Sequence, residues 1–175
     1  MAEIVYFDAN PLVYWAAGMA GSSVPQDVRA ATAISTLVEG DDHLYLSPIT
    51  LVEFNTTLYK LVRQQDGAHA RFSMSDATDA EDKLMQWIAS ERISVPQLGQ
   101  RAFELGMSYV AAATREHGRR VHAWDAIHLF EACRLARTLD EQVIIATSDS
   151  DFQTLLEIYP EFALLVEVRD YASSD

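Results

Sequence analysis

The sequence predicts an α/β fold in which helices cover both faces of a central, mainly parallel sheet. Two observations carry the prediction. Short β-branched and aromatic runs alternate with longer segments of helical periodicity along most of the chain. The runs "IVYF" and "VIIA" are apolar without interruption, as expected of strands buried on both faces. A chain of 175 residues can bury a core without disulfides or a structural metal. We read 1–175 as one domain, with a helical excursion and flexible connection at about 64–92.

Residues 2–7 read as a strand that ends at Asp8. "PLVYWAAG" is a helix with Pro11 in its first turn and Gly18 as its stop. A loop spans 19–26, and "DVRAATAISTLVEG" then places Val28, Ala31, Ile34, Leu37 and Val38 on one helical face. "HLYLSP" is a second strand, followed by "ITLVEFNTTLYKLVRQQ", a helix with Leu51, Phe54, Leu58 and Leu61 at helical spacing. Residues 66–80 read as a connection, and "EDKLMQWIASE" resumes a helix. "RISVPQL" holds a brief strand. "QLGQRAFELGMSYVAAATREHG" is a long helix whose apolar surface comes from Phe103, Leu105, Met107, Tyr109 and Val110. "AWDAIHLFEACRLART" is another helix. The strand "QVIIA", the short helix "DFQTLLEIY" and the strand "ALLVEV" close the chain.

Thirteen basic against 26 acidic residues give a net charge of −13, the reverse of a nucleic-acid binder's usual footprint. That excess suits solubility, a basic protein partner or a cluster that holds divalent metal. Cys133 is the only cysteine, which excludes an intrachain disulfide and fits a reducing compartment. "MAEIVYFDAN" has no signal-peptide pattern, and no apolar run reaches the roughly 20 residues of a membrane span. A cytoplasmic protein with no membrane role is expected.

In parallel sheets, ligands bind beyond the carboxyl ends of the strands. That rule brings Asp8, at the end of the first strand, to the same rim as Asp149 and Asp151 in "ATSDSDF". Each has a plainer explanation, because Asp8 can cap the helix that Pro11 begins, and the later acids suit a helix start. Glu53 sits one turn into a helix between Val52 and Phe54, where a dipole-compensating surface charge is the alternative. Asp125 is surrounded in sequence by Ala123, Trp124, Ala126, Ile127, Leu129 and Phe130; buried there, it needs a cation or several hydrogen bonds. His122 and His128 flank it at i−3 and i+3 and read best as satisfied or surface histidines, since no Cys or His set at structural-zinc spacing accompanies them. Converging carboxylates need a compensating cation, and all-oxygen ligation suits Mg²⁺ or Mn²⁺. Such a centre can bind phosphate oxygens, sharpen a water into a nucleophile and stabilise a leaving oxygen.

Four ordered motifs, "VYFDANPLV", "LSPITLVEFNTTL", "HAWDAIHLFEA" and "ATSDSDF", resemble the PIN-domain ribonucleases, especially the VapC-type toxins of type II toxin–antitoxin pairs. The resemblance implies a three-layer α/β/α PIN-like domain and an endoribonuclease dependent on Mg²⁺ or Mn²⁺. It places the family's acidic quartet on Asp8, Glu53, Asp125 and Asp149 as catalytic and metal-holding residues. Asn10, Thr147 and Asp151 would support them. It also implies an RNA substrate, a cognate antitoxin and frequent homodimers. The chain is longer than the compact family form, around 18–26 and 64–82, and more acidic. Arg63, Arg71, Arg115, Arg119 and Arg120 are its candidate RNA contacts, with "REHGRR" alternatively a solvated helix end.

Two rivals stand beside this reading. One is a non-catalytic PIN-like scaffold that binds RNA or protein, motivated by the charge of −13. The other is an α/β phosphatase or phosphoacceptor domain. Against the latter, "DAN" lacks a second Asp, and no lysine follows Lys83.

Overall fold

The computed structural model describes residues 2–63 and 72–173. Five strands, β1 (Ile4–Phe7), β2 (His43–Leu46), β3 (Ile93–Ser94), β4 (Val143–Ala146) and β5 (Val166–Arg169), form one sheet in the order β3-β2-β1-β4-β5. Every pairing is parallel, with Phe7 beside Leu46 on one flank and Ala146 on the other. Among the described residues, seven helices cover it: α1 (Ala9–Met19), α2 (Pro25–Glu39), α3 (Pro48–Arg63), α4 (Met74–Ala89), α5 (Gln100–His117), α6 (Ala123–Leu139) and α7 (Ser150–Ile158).

Strand alternation splits the core into two layers. Val5, Phe7, Ile144 and Ala146 face one way and pack with Trp15, Ile34, Phe54, Leu58 and Leu84 from α1 to α4. Ile4, Tyr6, Val143 and Ile145 face the other way and pack with Ile127, Leu129, Cys133 and Phe152 from α6 and α7. All four residues of β1 and of β4 are buried, which accounts for their unbroken apolar runs. From β1 the chain builds the sheet toward β2 and β3, then returns to add β4 and β5 on the other side. The switch point therefore lies between β1 and β4, where a crevice opens at the carboxyl ends.

The structure corrects several local expectations. Gly18 does not stop α1; the helix runs to Met19 with Ala20 as its C-cap. Gly18 instead lets α2 approach, because a Cβ there would lie 2.4 Å from the Asp27 carbonyl oxygen and 2.7 Å from Ala31 Cβ. Gly18→Ala is accordingly expected to destabilise the fold by about 1–3 kcal/mol through overpacking, read as a lower Tm in thermal unfolding. Likewise α5 meets α6 through Ala102, Gly106 and Ala113, so Phe103 and Met107 are left exposed rather than supplying core surface. Helix α4 begins at Met74, within the expected connection. Ser73 and Asp76 form a reciprocal capping box that starts it, and Ala77, Ala80 and Leu84 are its buried face. The earlier part of that connection, 64–71, lies outside the described residues. Residues 160–164, expected in part as strand, form a 3-10 turn before β5. No helix among the described residues is long and apolar enough to cross a membrane.

Candidate active site

Asp8 follows β1 and occupies the N-cap position of α1, yet its side chain makes no capping hydrogen bond. Its carboxylate instead accepts a 2.8 Å hydrogen bond at Oδ2 from the Thr147 hydroxyl, which follows β4. The two strand ends are held together by Asp8 N–H donating to the Ala146 carbonyl at 3.0 Å. Thr147 Oγ1 also accepts from Asp149 N–H at 3.0 Å, so one buried hydroxyl sets the geometry of both acids. Asp149 caps α7, its Oδ1 accepting from Asp151 N–H at 2.9 Å. The capping explanation thus holds for Asp149 and fails for Asp8.

Helix α3 is fixed to the same rim. Ser47 Oγ accepts from the backbone N–H groups of Ile49 and Thr50, each at 3.1 Å, and Thr50 Oγ1 donates to the Phe7 carbonyl at 3.0 Å. Glu53, further along α3, is held by the fully buried His128 of α6 through a 3.1 Å contact between Nε2 and Oε2. The other ring nitrogen, Nδ1, lies 2.9 Å from the Tyr6 hydroxyl. A carboxylate only accepts, so Nε2 carries the proton and the phenol donates to Nδ1. Burial raises the Tyr6 phenol pKa, which keeps that donor protonated. The resulting line of Tyr6, His128 and Glu53 was not predicted from the sequence. Asp8, Glu53 and His128 offer ligand atoms within 4.8 Å of one another. Both nitrogens of His128 are engaged, however, which makes it an orienting residue for Glu53 rather than a ligand.

Asp125 lies in the first turn of α6 and is buried, with no hydrogen-bond partner for Oδ2. His122 Nδ1 approaches that oxygen only to 3.5 Å and is nearer Asp151 Oδ2, at 3.0 Å. Asp151 also accepts from the His122 backbone N–H at 2.9 Å, tying the start of α6 to α7. Burial first, and then the charges of Asp149, Asp8 and Asp151, push the Asp125 carboxyl up to about 8. Burial also raises Asp8 above the usual carboxylate range, opposed by His128 and Thr147. Two carboxyls driven upward in one crevice mark a candidate functional site.

Asp8, Glu53, Asp125 and Asp149 all line a single cavity of about 720 Å³, as does Asn10. Thr147 and Asp151 do not line it; they bond to Asp8 and to the His122 backbone respectively. Among the described residues, the Lys60 ammonium and the His122 imidazole are the basic groups on the cavity wall. Neither Arg63, Arg115, Arg119 nor Arg120 reaches it; Arg119 pairs with Glu157 at 3.1 Å, and Arg71 lies outside the described residues.

The strand order and layering are those of a three-layer α/β/α PIN-like fold. The crystal structure of Mycobacterium tuberculosis VapC20, a sarcin-ricin loop cleaving toxin, matches 86% of this chain and 93% of its own with a TM-score of 0.55. The sequences are 17% identical, so this likeness speaks for the fold. No protein-family model matches the sequence, and no curated protein matches it significantly.

Proposed function

We propose that this chain is a cytoplasmic Mg²⁺- or Mn²⁺-dependent endoribonuclease of the VapC toxin type, neutralised by a cognate antitoxin and working as a homodimer. The observation that carries this reading is Asp125, a buried carboxylate whose Oδ2 has only the 3.5 Å approach of His122, lining one cavity with three further acids. Such a donor set fits a hard divalent cation: its oxygens are carboxylate oxygens, His128 is engaged on both nitrogens, and His122, which could join Asp125 and Asp151 as a ligand, has its Nδ1 3.0 Å from Asp151. Asp8, Glu53, Asp125 and Asp149 would hold the ion. A bound Mg²⁺ or Mn²⁺ supplies Lewis-acid charge for an in-line displacement at phosphorus and favours ionisation of the attacking water.

The protein's own groups do the positioning. Thr147 fixes the carboxylates of Asp8 and, through its backbone, Asp149, while His128 fixes Glu53. Asn10, on the cavity wall, supplies an uncharged side chain able to orient a phosphate oxygen or water. Asp151 supports Asp125 by holding the His122 backbone at the helix start. Hydrolysis forms one P–O bond from water and breaks the P–O bond to the leaving ribose oxygen, which takes up a proton.

Labelled single-stranded and structured RNAs test this reading directly. Cleavage is expected with Mg²⁺ or Mn²⁺, none with EDTA, and none by Asp8→Asn in any condition; cleavage that persists in EDTA contradicts the proposal. The toxin role predicts growth arrest on induction of the wild-type chain and its relief by a small protein encoded alongside. A non-catalytic scaffold is the second reading, favoured by the net charge of −13. It predicts RNA or protein binding without cleavage.

A further inference from the structure

Two large aromatic rings stand in solvent beside the acidic crevice, and core packing does not explain them. Trp124, in the first turn of α6, is 46% exposed, and Phe103, in the first turn of α5, is 39% exposed. Helices α5 and α6 meet through small residues, leaving these rings at the lip. The two rings pack edge to face, with centroids 6.3 Å apart and planes at 80°. Phe103 thereby braces Trp124. Both line the same cavity as Asp8, Glu53, Asp125 and Asp149, and Leu98 and Val52 extend the apolar wall. At about 720 Å³ the cavity falls within the range of roughly 300–1,000 Å³ typical of ligand sites.

Resting on the nuclease reading, we propose that Trp124, braced by Phe103, is a stacking platform for an unpaired nucleobase next to the scissile phosphate. The charge distribution argues for a base over a phosphate track. The chain carries −13, and among the described residues the cavity wall offers Lys60 as its one side chain of fixed positive charge, so counterion release contributes little to RNA binding here. Stacking on an exposed indole is independent of charge and open to every base. A neutral ring at the lip and anionic oxygens on the floor sort the two halves of a nucleotide: base to the lip, phosphate to the acids and their cation. A base held this way is unpaired, so the substrate class is single-stranded RNA or an extruded base in a loop, not continuous duplex.

The test separates this inference from the reading it rests on. A peptide nucleic acid hexamer carries bases on an uncharged backbone that no phosphodiesterase cuts, and it needs no metal to approach the protein. Titrated in EDTA, it is expected to quench tryptophan fluorescence in the wild type and not in Trp124→Phe, with no quenching by a base-free analogue. The buried Trp15 and its stacked neighbour Trp87 are common to both proteins, so the difference reports Trp124. In RNA cleavage, Trp124→Ala is expected to raise KM about tenfold with kcat little changed, and Trp124→Phe to restore most of the affinity. No quenching by the hexamer, in a protein that still cleaves RNA, overturns the platform and leaves the nuclease standing. Quenching without any cleavage sinks the nuclease and keeps the base site. Quenching by a basic amphipathic peptide but not by the hexamer makes the lip a protein-docking surface, and the inference is then wrong.

Discussion

Asp125→Asn is expected to make the metal-free protein more stable while it sharply lowers the rate of cleavage. The wild-type carboxyl is buried among Asp149, Asp8 and Asp151, and its pKa is pushed up to about 8 from 3.8. Below pH 4 the group is protonated in both folded and unfolded chains and has no effect on their balance. As pH rises from there to about 8, the unfolded chain gains by ionising and the folded chain does not. Stability of the metal-free protein therefore falls across that window, and the loss is complete above it. Asn keeps the shape and removes the charge. At pH 7.5 the gain is on the order of 2 kcal/mol, or about 4–8 °C in Tm, and it vanishes near pH 4. The same change removes an anionic oxygen from the proposed cation site and is expected to lower kcat by about 100- to 1,000-fold. A stabilised, nearly inactive variant is the mark of a group kept for function at a cost to the fold. Thermal melts between pH 4 and 8 with and without Mn²⁺ check it: a Tm difference that does not grow with pH contradicts the account.

The second large effect falls on His128. His128→Phe keeps a ring at the site but removes both nitrogens, so the buried Tyr6 hydroxyl loses its 2.9 Å partner and Glu53 is freed. Loss of that buried hydrogen bond, together with the larger ring, costs about 1–3 kcal/mol of stability. Loss of the group that orients a ligand carboxylate is expected to weaken Mn²⁺ binding about 10- to 100-fold, as such supporting residues usually do. Tyr6→Phe leaves the His128 contact to Glu53 in place and is expected to weaken Mn²⁺ far less. Calorimetric Mn²⁺ affinity equal to wild type in His128→Phe rules out the orienting role.

Much of the fold is legible in the sequence because both of its periods are clean. β1 and β4 are unbroken apolar runs, and the carboxyl-end rule alone carries Asp8 and Asp149 to one rim. What escapes is whatever depends on a partner far along the chain. His128 looks like an ordinary helical histidine until Tyr6, 122 residues away, and Glu53 close on it. Gly18 looks like a helix stop because its true reason is the backbone of α2. Phe103 and Met107 look like core because small residues rarely announce a helix contact, and Ala102, Gly106 and Ala113 form that face. The start of α4 is hidden in polar sequence, although Ser73 and Asp76 at capping-box spacing signal it. Lys60 reaches the cavity wall from the fourth turn of α3, a position that only the helix axis reveals.

The central claim is that these carboxylates form a divalent-cation site, and calorimetric titration of Mn²⁺ into the purified protein at pH 7 tests it most directly. Because Asp125 is pushed up to about 8, it holds a proton at that pH which a metal must displace. Buffers of different ionisation enthalpy should therefore report release of about one proton per site in the wild type, with binding strongly weakened in Asp125→Asn. Mn²⁺ binding with proton release supports the metal centre and with it the nuclease. No heat of binding in any buffer contradicts the centre and leaves a PIN-like scaffold.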